Sequence, residues 1–87
     1  MDQRRDVQAH IEWRRKPPTT RYAAPARFDG DNRWPNEAWS LVVEPFSASG
    51  TYVVRFLVPD APHHLLISGA RFTLYEGPKQ VATGTIA

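Results

Sequence analysis

Cysteine is absent from this chain of 87 residues, and that absence excludes several kinds of chemistry. Without thiols the protein has no disulfide, no thiolate nucleophile and no thiolate metal site. Long apolar runs are also missing, since no segment approaches the ~18 residues of a membrane-spanning helix. Residues 1–6 are polar, where a secretory signal would lead into an apolar region. We therefore expect a cytoplasmic protein without membrane contact, in which residues 1–6 form a polar leader.

Helical periodicity is equally scarce, because no window keeps a 3.6-residue apolar repeat over three turns. The chain has eight prolines and five glycines, which interrupt helices and separate short strands. It lacks the glycine-rich phosphate loop G-x-x-x-x-G-K-S/T, which excludes nucleotide hydrolysis of that kind. A chain of this size has room for one core. These features predict a single all-β domain over residues 7–87.

Apolar and polar residues alternate with a period of two in several short segments, as in strands with one buried face. We predict strands over residues 7–13, 38–46, 51–58, 70–76 and 81–86, and an irregular edge strand over 21–28. Pro25 suggests the edge position, since proline lacks the N–H that a ladder needs. The alternation predicts that Val42 and Tyr75 point outward. Residues 51–58 are apolar on both faces, which predicts cover on both sides or an outward patch that binds a partner.

Six strands in an open sheet would leave two unpaired edges, which closure into a barrel removes. Short strands can also share one small core in a barrel. The expected fold is therefore a closed six-stranded antiparallel β-barrel.

Basic residues are concentrated in the first part of the chain, although the net charge is only +2. Residues 1–33 contain eight Arg and Lys against five Asp and Glu, whereas residues 34–87 contain three against four. Such an excess can attract RNA, an acidic protein or a membrane surface, and it is also compatible with an ordinary solvated surface. Arg14, Arg15 and Lys16 form a basic loop, and Arg33 precedes Trp34 in a polar turn where we expect the tryptophan to be exposed. Exposed aromatic rings beside cations occur both in protein interfaces and in single-stranded nucleic-acid binders.

No residue pattern specifies catalysis. His63 and His64 are adjacent and His10 is distant in sequence, so the histidines lack the spacing of metal ligands. The serines stand in no G-x-S-x-G elbow. We therefore predict no enzyme activity, no metal and no cofactor. The remaining enzymatic alternative is a site in which His63 or His64 meets an acid or a serine.

The last third of the chain carries a family resemblance. Its residues are Leu66, Gly69, Phe72-Thr73-Leu74-Tyr75-Glu76-Gly77 and Val81-Ala82-Thr83-Gly84-Thr85-Ile86. This pattern resembles the closing hairpin of the C-terminal β-barrel domain of elongation factor Tu. Residues 7–13 are similar to the first strand of that domain, and Tyr22, Pro25 and Phe28 to a segment that follows it. The resemblance implies a six-stranded antiparallel barrel that contacts the T-arm of aminoacyl-tRNA and other proteins and does no chemistry.

Three residues differ from the family pattern, at positions that face RNA in the elongation factor. Glu76 and Gly77 match the turn near the tRNA, whereas Tyr75 replaces the turn arginine, Ala26 replaces an upstream glutamine and Ala82 replaces a hairpin glycine. The 87 residues contain no counterpart of the GTPase domain, so elongation-factor activity is not implied. We predict a non-catalytic barrel that binds a macromolecule, first of all a protein, with RNA as the alternative. The candidate binding residues are Arg14, Arg15, Lys16, Arg33, Trp34, Glu76 and Gly77.

Overall fold

A computed structural model describes residues 6–30, 34, 38–46 and 50–87, and the protein is all-β in these residues apart from one short 3₁₀ turn, His63–Leu65. Within the same residues, no helix has the length and apolar character that a membrane crossing needs. Residues 1–5 of the predicted leader and the candidate residue Arg33 lie outside the described part of the chain. The strands are β1 (Val7–Trp13), β2 (Tyr22–Phe28), β3 (Trp39–Pro45), β4 (Thr51–Phe56), β5 (Arg71–Glu76) and β6 (Lys79–Ile86).

The strands form a closed antiparallel barrel in the order β1-β4-β3-β2-β5-β6, with β6 paired again to β1. This confirms the predicted six-stranded barrel. It also shows that the edge assignment for β2 was wrong, since β2 pairs with both β3 and β5. Pro25 is accommodated because the β2–β5 register begins after it, at Ala26. Closure leaves β2 no free edge, whatever its own composition.

The antiparallel order of the strands defines two ends of the barrel. At one end β1, β3 and β5 finish and β2, β4 and β6 begin; we call it the Trp13 end, after the last residue of β1. At the opposite end β2, β4 and β6 finish; we call it the Phe28 end, after the last residue of β2. The candidate residues in the β1–β2 loop and the β5–β6 turn therefore lie at the same Trp13 end.

Inward side chains of all six strands form the core. At the Phe28 end, the Phe28 ring packs 5.7 Å from Phe56 and 5.4 Å from Phe72 between centroids. Leu66, from the segment between β4 and β5, closes this end and is 1% exposed. Other core members are Ala9, Ile11, Ala24, Ala26, Leu41, Val43, Tyr52, Val54, Leu74, Val81, Ala82 and Ile86.

Two residues that we expected on the outer surface are buried. The register of β5 with β6 shifts after Leu74, and Trp34 covers the ring of Tyr75, so Tyr75 is only 8% exposed. Val42 is fully buried although it lies outside the main core cluster; its register neighbours are Ala23 and Arg55. Both residues are buried by neighbours from other strands or loops. The period-two alternation within a single strand gives no information about such neighbours.

The strand predicted over residues 51–58 ends earlier, at Phe56. Leu57 and Val58 follow it in a loop at the Phe28 end and are 43% and 39% exposed. Ile67, from the same β4–β5 connection, is 57% exposed. The apolar run therefore supplies both core residues within β4 and exposed apolar side chains beyond it.

Candidate binding surface

Three aromatic residues close the barrel at the Trp13 end. Trp13, Tyr22 and Tyr52 occupy inward positions at the ends of β1, β2 and β4. The Trp13 indole Nε1 donates a hydrogen bond to the Tyr52 hydroxyl at 3.0 Å. The Trp13 ring meets Tyr22 and Tyr52 edge-on, with centroids 5.7 and 5.9 Å away. Because such pairs are geometrically specific, the cluster gives the loops above it a defined base.

The β1–β2 loop and the β5–β6 turn meet over this base. Arg15 Nη2 lies 2.6 Å from Glu76 Oε2, and the Tyr22 hydroxyl donates a hydrogen bond to the same carboxylate oxygen. The Arg15 guanidinium carbon also lies 5.2 Å from the centre of the Tyr22 ring, within cation–π range. Partial burial, followed by the hydrogen bond to Glu76, raises the pKa of Tyr22 above its ordinary 10.0. Two candidate residues from opposite thirds of the chain, Arg15 and Glu76, thus lie in one site.

The backbone holds the neighbouring candidates in place. Gly77 has φ +59°, a left-handed conformation that favours glycine in a tight turn. The Arg14 backbone N–H donates to the Val81 carbonyl at 2.9 Å, which joins the basic loop to β6. The side chains of Arg14 and Lys16 are exposed and form no ion pair with any residue that the structure describes. Among the described residues, Arg15 is the one member of the basic loop with an acidic partner.

Trp34 is half-buried, so our expectation of an exposed tryptophan was wrong. Its ring stacks against Tyr75, with centroids 4.9 Å apart and planes inclined by 32°. The Tyr75 hydroxyl accepts a hydrogen bond from Gln80 Nε2 at 3.3 Å. Since Tyr75 immediately precedes Glu76, Trp34 lies beside the strand that leads into the site.

Phe46 is an apolar member of this end that the sequence reasoning did not single out. It follows β3 directly and is 49% exposed, while its backbone N–H donates to the Thr51 carbonyl at 3.0 Å. The predicted strand over residues 38–46 includes Phe46, but β3 ends at Pro45, because proline lacks the N–H that continues a ladder. A large ring directly after such a proline is a signal for an exposed position. Tyr22 was missed as a site residue because its segment looked irregular.

The positive charge at the Trp13 end exceeds the negative charge that pairs with it. Glu44, on β3, accepts from Arg55 Nη2 at 3.2 Å and lies 3.9 Å from Arg21 Nε. Of the described glutamates near this end, Glu44 and Glu76 are therefore already paired, whereas Glu12, next to Trp13, forms no ion pair. Arg14, Lys16 and Lys79 form no ion pair within the described part of the chain. This end can attract an acidic surface.

The histidines lie apart from this surface. His63 is hydrogen-bonded through Nε2 to the Pro59 carbonyl at 2.8 Å, and its ring meets Phe56 edge-on at 5.8 Å. His10 and His64 are exposed. Among the described residues, no histidine bonds to an acid or a serine, and no three potential metal ligands gather. In that part of the chain the histidines do not form the nucleophile–base pair that the enzymatic alternative requires.

No known protein family, curated protein or solved structure matches this chain.

Proposed function

We propose that this protein is a non-catalytic binding module, related in fold to the C-terminal β-barrel domain of elongation factor Tu, whose partner is a protein bound at the Trp13 end. The observation that carries this proposal is the convergence of rings and cations there. Arg15 and Tyr22 are fixed on Glu76, Trp34 stacks beside them on Tyr75, and Phe46 is exposed at the same end.

The residue types at this end are those that dominate protein interfaces. Tryptophan, tyrosine and arginine are enriched among the residues whose truncation costs most binding energy. Arg15 already sits between Glu76 and the Tyr22 ring, so binding orders fewer side-chain rotamers. Exposed Phe46 adds apolar area that a partner can cover.

The exposed cationic side chains of the basic loop indicate the charge of the partner. Arg14 and Lys16 are exposed beside Glu44 and Glu76, whose carboxylates are already paired with arginines. A complementary partner surface is acidic, and its charges would speed association more than they raise final affinity. We therefore expect an acidic protein surface with an apolar centre.

The test is a titration of a partner isolated with the wild-type protein. A triple Arg14→Ala, Arg15→Ala, Lys16→Ala variant and a double Trp34→Ala, Phe46→Ser variant should each weaken binding by about tenfold or more, equivalent to ~1.4 kcal/mol. Arg27→Ala is the matched control, because Arg27 is an exposed cation on β2 close to the Phe28 end. Wild-type affinity in both site variants would contradict the proposal.

RNA is the second candidate, favoured by the exposed cations Arg14 and Lys16 near aromatic rings. Cations that contact phosphates release counterions, so RNA affinity should fall steeply as salt rises. Electrophoretic shift of a single-stranded oligonucleotide at several salt concentrations checks this. Absence of any shift at low salt would remove RNA as a partner.

A further inference from the structure

Polar side chains on the outer surface form two rows across β1, β6 and β5. Each row follows the register of the strands, with a threonine of β6 in the centre. The threonines are short, and the surrounding side chains enclose a cavity of about 260 Å³ above them. The rows are His10, Thr85 and Arg71, and Glu12, Thr83 and Thr73. We call this cavity the threonine trough.

An apolar cavity of about 340 Å³ adjoins the trough at the Phe28 end. Phe28, Leu65 and Ile67 line it, and Ile67 is largely exposed. Both cavities share Asp29 and Arg71 in their walls. The Asp29 backbone N–H donates to the Arg71 carbonyl at 2.9 Å, which fixes the shared wall. An apolar and a polar recess thus lie side by side.

The ionisable side chains around the trough are not paired with one another. Within the described residues, those of His10, Glu12, Asp29 and Arg71 form no ion pair or hydrogen bond. The carboxylates of Glu12 and Asp29 outnumber the single guanidinium of Arg71 in these walls. The trough therefore favours a cation, opposite in sign to what the Trp13 end favours.

We propose that the two cavities together bind a short extended segment of a partner protein, with an apolar side chain followed two residues later by lysine or arginine. The apolar side chain enters the recess lined by Phe28, Leu65 and Ile67. The cation pairs with Glu12 across the trough. Threonine hydroxyls both donate and accept hydrogen bonds, so Thr83 and Thr85 match the polar backbone between these two anchors.

The dimensions agree with this spacing. Neighbouring strands lie about 4.8 Å apart and the two rows about 7 Å apart along the strands, so the diagonal from Arg71 at the recess wall to Glu12 on β1 is about 12 Å. In an extended peptide, residues i and i+2 are about 7 Å apart and their side chains point to the same side. A lysine side chain covers the remaining distance. The site stands independently of the Trp13 end, with which it shares none of its lining residues.

The test is a titration of the ¹⁵N-labelled protein followed by NMR. The probe is the acetylated, amidated pentapeptide Ser-Leu-Ser-Lys-Ser. A charge-reversed peptide, Ser-Leu-Ser-Glu-Ser, and an anchorless peptide, Ser-Ser-Ser-Lys-Ser, are matched controls. We expect saturable shifts of the amides of residues 10–12, 67–73 and 83–85 with the first peptide, and weaker binding of both controls.

Two single-residue variants then test which protein side chains contact the leucine and the lysine of the peptide. Glu12→Gln should weaken the Leu–Lys peptide about two- to fivefold, as expected for an exposed ion pair, and Ile67→Ser should weaken it as well. Both side chains are exposed, so neither change disturbs the core. Trp34→Ala should leave this affinity unchanged, which separates the site from the one at the Trp13 end. Equal shifts with all three peptides, or no saturable shift at millimolar concentration, would overturn the inference.

Discussion

Arg15 Nη2 lies 2.6 Å from Glu76 Oε2, and this ion pair joins the basic loop after β1 to the hairpin turn between β5 and β6. Both side chains are about two-fifths exposed, at 42% and 43%. Water and ions screen such a pair, so its main effect is on orientation. Glu76 also accepts the Tyr22 hydroxyl, which makes one carboxylate the common partner of a loop cation and a strand aromatic.

Glu76→Gln should therefore change binding more than stability. We expect the free energy of unfolding in urea to fall by less than about 1 kcal/mol, while partner affinity falls severalfold because Arg15 loses its fixed position. Glu44→Gln is the matched control, since Glu44 pairs with Arg55 away from the Arg15 contact. A stability loss of several kcal/mol for Glu76→Gln would contradict this account.

Tyr22 should make stability depend on alkaline pH. Its folded-state pKa is raised above 10.0, so the fold favours the neutral hydroxyl. The stability that Tyr22 contributes is complete below pH 10 and is lost as pH rises through the raised pKa. The reason is that the unfolded state releases the tyrosine proton more readily than the folded state, so rising pH favours unfolding. Urea unfolding from pH 8 to pH 11 should show a wild-type advantage over Tyr22→Phe that shrinks above pH 10. A difference between the two proteins that stays constant over this range would refute the linkage.

Gly84 should tolerate no side chain. A Cβ atom built there would lie 2.3 Å from Cζ of the Phe72 ring, and Phe72 is 1% exposed with little room to move. Overpacking of this kind costs about 1–3 kcal/mol, so Gly84→Ala should lower the urea midpoint clearly. Thr83→Ala on the outer face of the same strand is the control and should stay within about 0.5 kcal/mol. If Phe72→Leu fails to reduce the additional cost of Gly84→Ala, the clash is not its cause.

Trp34 should stabilise the protein through its contact with Tyr75. Trp34→Ala removes a ring pair at 4.9 Å, which contributes about 0.5–1.5 kcal/mol beyond the area it buries. Trp34→Phe keeps an aromatic ring at this position and should retain much of that stability. Circular dichroism during urea unfolding compares the two variants. Equal losses would mean that stacking on Tyr75 contributes nothing specific.

The strands were predictable wherever side-chain alternation was uninterrupted. Residues 7–13 correspond to β1 without a shift, because Ala9 and Ile11 bury one face while His10 and Glu12 stay exposed. The last two strands were found within two residues of their predicted bounds. The composition of β2 wrongly suggested an edge strand. Its pairing with β5, in addition to β3, shows that β2 has a neighbour on both sides.

The candidate site was predictable only in part. A basic loop and a hairpin turn can each be recognised in the sequence, and Arg15 and Glu76 were both among the predicted residues. Their ion pair depends on barrel closure, which places the end of β5 beside the loop after β1 at the Trp13 end. Trp34 was wrongly expected to be exposed because its cover, Tyr75, lies in a distant strand.

The sequence by itself determined the all-β class, the strand positions and the closed barrel, because these follow from local alternation and from the cost of unpaired edges. Only the tertiary structure decided which residues meet. The Glu76 carboxylate with Arg15 and Tyr22, the ring of Trp34 on Tyr75 and the trough across β1, β6 and β5 all depend on strand order and register. Those are set by the packing of the whole core, since residues far apart in the chain become neighbours only when the strands pair.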